Sequence, residues 1–186
     1  MALLSTPSPA RRPRADAERN RQRVVETARA LFAVRGDEVQ HAEIAREAGV
    51  GVGTVYRHFP TRQSLVEAAA EQRFAEILAF AQELADGLAS YLEHVGEVLD
   101  ADRGLSAVIE AARGSTESEP RGQARAHLEE AVAELIARDQ RAGILSPTCT
   151  VSDVYMITGA LSAVVRTRSG DWRRFLTIVL EGLRPR

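Results

Sequence analysis

The chain has 186 residues, 45% of them hydrophobic and 27% charged, which is the balance of a globular protein and excludes a disordered or membrane-embedded one. A net charge of −2 excludes a uniformly basic nucleic-acid coat, and a single cysteine, Cys149, excludes an internal disulfide framework. The charge is unevenly placed, however: residues 1–62 carry 11 arginines against 7 acids, and the rest carries 13 against 19. All 24 basic residues are arginine. A basic front and an acidic back fit an anionic partner for the front alone.

Residues 1–15 hold three prolines together with Arg11, Arg12 and Arg14, and read as a basic arm. The sequence leaves open whether it is a plain leader or enters a DNA minor groove. From Asp16 or Asn20 to Arg35, Val24, Val25, Ala28, Leu31 and Phe32 recur on one helical stripe, which Gly36 ends. A second helix is expected over His41 to Ala48, stopped by Gly49, and a third over Val52 to Phe59. Pro60 breaks the chain, and Thr61 is placed to cap a long fourth helix carrying Phe74, Ile77, Leu78, Ala81 and Leu84.

Beyond it, Tyr91, Leu92, Val95 and Leu99 mark a fifth helix restarted near Asp86-Gly87, and Leu105, Val108 and Ile109 a short sixth. The polar run Arg113 to Glu119 reads as a loop. A seventh helix follows Pro120 and closes at Gly143-Ile144, and two more cover about Val151 to Thr167 and Asp171 to Leu183. No segment alternates with period two, so the fold class is all-α: a helix-turn-helix unit over 16–62 and a second helical unit over 63–186. The longest uncharged apolar run, Val154 to Val165, falls short of the ~20 residues of a membrane span. The opening MALLSTPSPARRPR has no signal-peptide core, so the cytoplasm is the expected location and no membrane partner is expected.

The densest local pattern is AEIAREAGVGVGTVYRHF, Ala42 to Phe59. Ala45 lets two short helices cross closely, and Gly49 supplies the left-handed residue that reverses the chain. Ile44, Val50 and Val55 would pin both helices inward. Gly51, Val52, Gly53, Thr54, Tyr56, Arg57 and His58 then remain outside, with small residues leading. That surface suits a major groove ~12 Å wide, with Thr54, Tyr56, His58 and Arg62 able to donate to phosphates. A generic helical hairpin explains the apolar positions but not two exposed glycines beside a Tyr-Arg-His cluster.

Residues 16 to about 75, with ARALFAVRG and GVGVGTVYRHFPTRQSLVEA, resemble the N-terminal domain of the TetR family of transcriptional regulators. The resemblance implies a recognition helix over Val52 to Phe59, with Thr54, Tyr56 and His58 among the DNA contacts and Arg62 near a phosphate. Gln40 and Gly51 depart from the serine or threonine that many members carry there. The resemblance also implies a C-terminal domain that dimerises and accepts a small-molecule effector.

Gly159, Ser162, Ala163 and Arg166 share one face of the eighth helix, and Trp172, Phe175, Leu176, Val179, Leu180 and Leu183 form an apolar face on the ninth. Paired with symmetry mates they would make a homodimer interface, or else close the monomer's own core. Effector-lining candidates are Phe74, Leu78, Tyr91, His94, Ile109, His127 and Met156. The expected function is a repressor released from a palindromic operator by an unknown effector, with an activator or a helical protein adaptor as the alternatives. His41-Ala42-Glu43 has the His-x-Glu form of zinc deaminases, but no paired cysteines follow it. No G-x-S-x-G elbow, P-loop or His-Glu-x-x-His occurs. No enzyme activity, cofactor or metal is therefore expected.

Overall fold

The structure, a computed structural model, describes residues 12–114 and 120–185. Arg11 and the rest of the proposed arm before Arg12, and the loop residues 115–119, lie outside the described residues. Nine α-helices and one 3-10 turn, with no strand, make up the described chain. They are α1 (Arg12–Arg35), α2 (His41–Glu47), α3 (Val52–His58), α4 (Arg62–Glu83), α5 (Leu88–Ala101), α6 (Arg103–Arg113), α7 (Gly122–Arg141), α8 (Val151–Thr167) and α9 (Trp172–Gly182). Between α1 and α2, Asp37 and Glu38 lie in the 3-10 segment Gly36–Glu38. α1 begins at Arg12, four residues before the earliest start its apolar stripe suggested.

Helix ends follow local chemistry. Gly49 takes φ +65°, and the Val50 and Gly49 N–H groups return to the Ala45 and Arg46 carbonyls at 3.0 and 3.2 Å, a Schellman closure of α2. The same closure recurs at Gly143, where Ile144 N–H reaches the Asp139 carbonyl at 3.1 Å. Thr61 Oγ1 accepts the Ser64 N–H at 3.1 Å while Ser64 Oγ accepts the Thr61 N–H, so α4 starts on a full capping box. Thr150 and Asp153 repeat the device on α8.

Val24, Ala28, Phe32, Val39, Ile44, Val55 and Leu65 are fully buried and weld α1, α2, α3 and the start of α4 into one core. α4 continues from that core to pack on α5, α6 and α7, while α8 lies against α5, α6, α7 and α9. α6 also packs against α1, so the two halves meet along α4 and α6. Gly104, on α6, sits so close to the Phe32 and Ala33 carbonyls that no Cβ fits there. Beside it, Arg29 on α1 pairs with Asp102, the residue that precedes α6, at 2.6 Å, and with Glu76 on α4.

The far end of the molecule is tied by a buried carboxylate. Asp139 on α7 accepts the Leu88 N–H at 2.7 Å, capping α5 from outside, where a side chain at Gly87 would collide with it. Its neighbour Arg138 donates to the Leu84 carbonyl at 3.0 Å and to that of Asp86. Among the described residues no helix is long and apolar enough to cross a membrane.

Candidate nucleic-acid interface and ligand cavity

α3 is held by one fully buried side chain, Val55, and by the buried Phe59 just past its end. With those two turned inward, Gly51, Val52, Gly53, Tyr56 and Arg57 are exposed, and Thr54 and His58 are half-buried. Exposed apolar area on Val52 and a phenol that is 52% exposed are uncommon on so short a helix, and both face away from the core. Tyr56 does not wave freely: its ring stacks on His41 with centroids 4.8 Å apart and planes 8° from parallel. The start of α2 thereby fixes the direction of the phenolic oxygen. Gly51 and Gln40 are the residues before α3 and α2, and neither makes a side-chain cap.

Arg62 is placed differently from the phosphate-facing position its sequence context implied. Its guanidinium turns back under the helix-turn-helix, donating to the Val39 carbonyl and, at 2.9 and 2.8 Å, to the Asp37 carbonyl and carboxylate. It also lies 5.1 Å above the Phe32 ring. The linker between α1 and α2 is thus pinned to the first turn of α4.

Deeper in the chain, a cavity of about 60 Å³ opens between α4, α5, α7 and α8. Of the seven effector candidates, Phe74 and Tyr91 line it. Leu78, His94 and Ile109 lie elsewhere: Ile109 is sealed in the core of α6, and His94 stacks on Phe80 with centroids 3.7 Å apart. His127 is exposed, and Met156 is 68% exposed on the outer face of α8. Two residues assigned from sequence to a dimer face, Gly159 and Ser162, line the cavity; Ser162 is buried, while Gly159 is also exposed on the outside of α8.

Three further dimer candidates also have contacts inside the protomer. The buried Trp172 ring rests on Gly96 of α5, Leu176 is buried, and Arg166 pairs with Glu110 at 3.4 Å. Ala163, Phe175, Val179 and Leu183 are half-buried at the margin, beside the exposed Ile178.

Arg73 is the charged residue among the lining residues that the sequence reading missed. It is 1% exposed, and its Nη1 donates to Ser106 Oγ on α6 at 2.9 Å. Burial pulls its pKa down to about 10. A signal was present: Arg73 stands midway between Ala69 and Ile77 at intervals of four, an arginine on the apolar stripe of α4.

The profile of the bacterial regulatory proteins of the tetR family matches residues 24–69, and that of the C-terminal domain of SbtR-like transcriptional regulators matches residues 83–185. The chain belongs to the TetR family. A TetR transcription regulatory protein from Mycobacterium vanbaalenii is 35% identical in sequence, over 92% of this chain and 98% of that one, with a TM-score of 0.60. A TetR transcriptional regulator from Streptomyces coelicolor is 31% identical over 89% and 98%, with a TM-score of 0.64. An HTH-type transcriptional regulator of Staphylococcus aureus is 47% identical over 53 residues, so the chain spans only 29% of the length of that curated relative. The TetR family is one of transcriptional regulators and not of enzymes.

Proposed function

We propose that this TetR-family protein is a cytoplasmic homodimeric repressor whose α3 enters the major groove of a palindromic operator and which a small effector releases. The observation that carries the reading is the outward face of α3: glycines and Val52 at its leading end, then a phenol oriented by His41 and a free-standing Arg57. Small leading residues let the backbone approach base edges, and Tyr56, Thr54, His58 and Arg57 supply phosphate or base donors. Arg62 then acts indirectly, by fixing the linker before α2.

Dimerisation is assigned to the outer face of α8 and α9, where exposed Met156 and Ile178 adjoin Gly159, Ala163, Phe175 and Val179. Small side chains at Gly159 and Ala163 allow a second helix to come close, and the apolar area gives the association its driving force. Effector binding in the cavity would shift α4 or α6. The Arg29 ion pairs and the Gly104 contact would then pass that shift to α1. Coupling of ~1–3 kcal/mol lowers operator affinity by about 5- to 150-fold.

Operator fragments selected from the source chromosome test the reading through two variants. Tyr56→Phe, which keeps the ring on His41, and Arg57→Ala are each expected to weaken binding by about 1–3 kcal/mol with the fold intact by circular dichroism. Unchanged affinity in both would remove α3 from the interface. An activator would use the same contacts, and reporter transcription in the presence and absence of the protein separates the two signs.

A further inference from the structure

The helix-turn-helix unit, residues 16–62, carries almost as many acids as arginines, so its appeal to an anionic partner depends on where positive charge is left uncancelled. Most of its arginines are engaged by carboxylates. Arg19 pairs with Asp16, Arg29 with Glu76 and Asp102, Arg35 with Glu43, Arg46 with Glu43 and Glu47, and Arg62 with Asp37. Arg21, Arg23 and Arg57 are left. Arg23 and Arg57 form no ion pair among the described residues, and Arg21 reaches only the exposed Glu18, at 3.9 Å.

Arg21 and Arg57 come together at the end of α3. The Arg21 guanidinium lies 5.4 Å above the ring of Phe59, the buried residue that follows α3, beside the last turn that holds Arg57 and His58. Attraction to the face of that ring gives the cation a fixed direction. The Arg21 side chain is nevertheless 41% exposed, which leaves N–H donors for an acceptor outside the protein. No Asp or Glu occurs from Ala48 to Thr61, so no acid along α3 cancels the charge. Arg23 stands two residues further on, ~200° around the helix, and points away from Phe59. Meanwhile Arg62, the cation expected at a phosphate, is turned inward onto Asp37 and the Val39 carbonyl.

We propose, resting on the DNA-reading role given to α3 above, that Arg21 of α1 is a phosphate contact: while α3 enters the groove, Arg21, braced on Phe59, donates to the sugar-phosphate backbone beside it, in the place that the inward turn of Arg62 leaves unfilled.

The test measures binding of the full-length protein to a fragment selected from the source chromosome and to a mixed-sequence duplex of about 30 base pairs, each over a range of salt. Arg21→Met keeps an apolar stem on Phe59 and removes the charge. It is expected to melt like the wild type and to weaken both duplexes by the same factor, roughly three- to tenfold in dilute salt. The slope of log affinity against log salt should fall by roughly 0.9 for each protomer engaged. Arg21→Lys should restore most of both. Arg23→Met removes the same charge from the other side of α1 and should move the slope by less than half as much. If Arg21→Met does not fold, Arg21→Gln takes its place under the same criteria.

An unchanged slope in Arg21→Met, with the wild type binding DNA, would overturn the contact and leave the role of α3 standing. An equal effect from Arg23→Met would assign the change to overall charge and overturn the contact too. So would a loss confined to the selected fragment, which marks a base reader, or a slope that Arg21→Lys does not restore, which traces the loss to packing on Phe59. A wild type that binds neither duplex would remove the DNA-reading role itself, and Arg21 with it.

Discussion

Arg62 connects two segments that lie far apart in sequence, and its worth can be read from its partners. Two backbone carbonyls and the Asp37 carboxylate accept from one guanidinium, a geometry that a lysine ammonium cannot span. Arg62→Ala is expected to lower stability by about 1–2 kcal/mol in urea denaturation, because two carbonyls lose a charged donor. Arg62→Lys should recover less than half of that. Equal stability of wild type and alanine variant would show that the clamp is not formed in solution. The position of Arg62 at the start of α4 was legible in the sequence, but the direction of its side chain was not, since its acceptors at Asp37 and Val39 are more than twenty residues away. Gly49 and Thr61 were legible for the converse reason: a left-handed turn and an N-cap depend on neighbours within five residues.

Packing between helices is where small residues are decisive. Gly96 on α5 carries the face of Trp172, the chain's single tryptophan, so a methyl at that position would fall inside the indole. Gly96→Ala is expected to cost about 1–3 kcal/mol and to change the tryptophan emission, read together in one fluorescence-detected unfolding curve. At Gly104 the obstacle is the backbone of α1, which cannot rotate away, so Gly104→Ala should be at least as damaging and should perturb the contact between the two halves. The α4–α6 contact has an electrostatic component as well. Arg113 donates to Glu67 at 2.9 and 2.6 Å and holds that carboxylate below its usual range. A depressed carboxylate stabilises above its unfolded pKa, and that contribution is lost as pH falls through the lowered value. Glu67→Gln should therefore flatten the decline in melting temperature between about pH 5 and about pH 3. Helix periodicity located the nine helices of the described residues, yet it did not give their rotation. Met156 and Ser162 both belong to α8, and only packing against α5 and α7 decides that Ser162 faces the cavity while Met156 faces out.

Across the whole molecule, a nearly neutral helix-turn-helix unit and an acidic helical body are joined through α4 and α6. A dimer built on α8 and α9 would present two copies of α3 about one helical turn apart, ~34 Å, to successive major grooves. Sedimentation at micromolar concentration should show twice the 20.3 kDa chain mass, and Ile178→Glu should shift it toward monomer, whereas a wild-type monomer would remove that surface from the scheme. The most direct check of α3 as a DNA reader is a binding isotherm for chromosomal duplexes repeated over a range of salt. Tight retention of a subset of fragments is expected, with log affinity falling linearly against log salt at a slope of roughly 0.9 per neutralised phosphate. Failure to retain any fragment even in dilute buffer would contradict it.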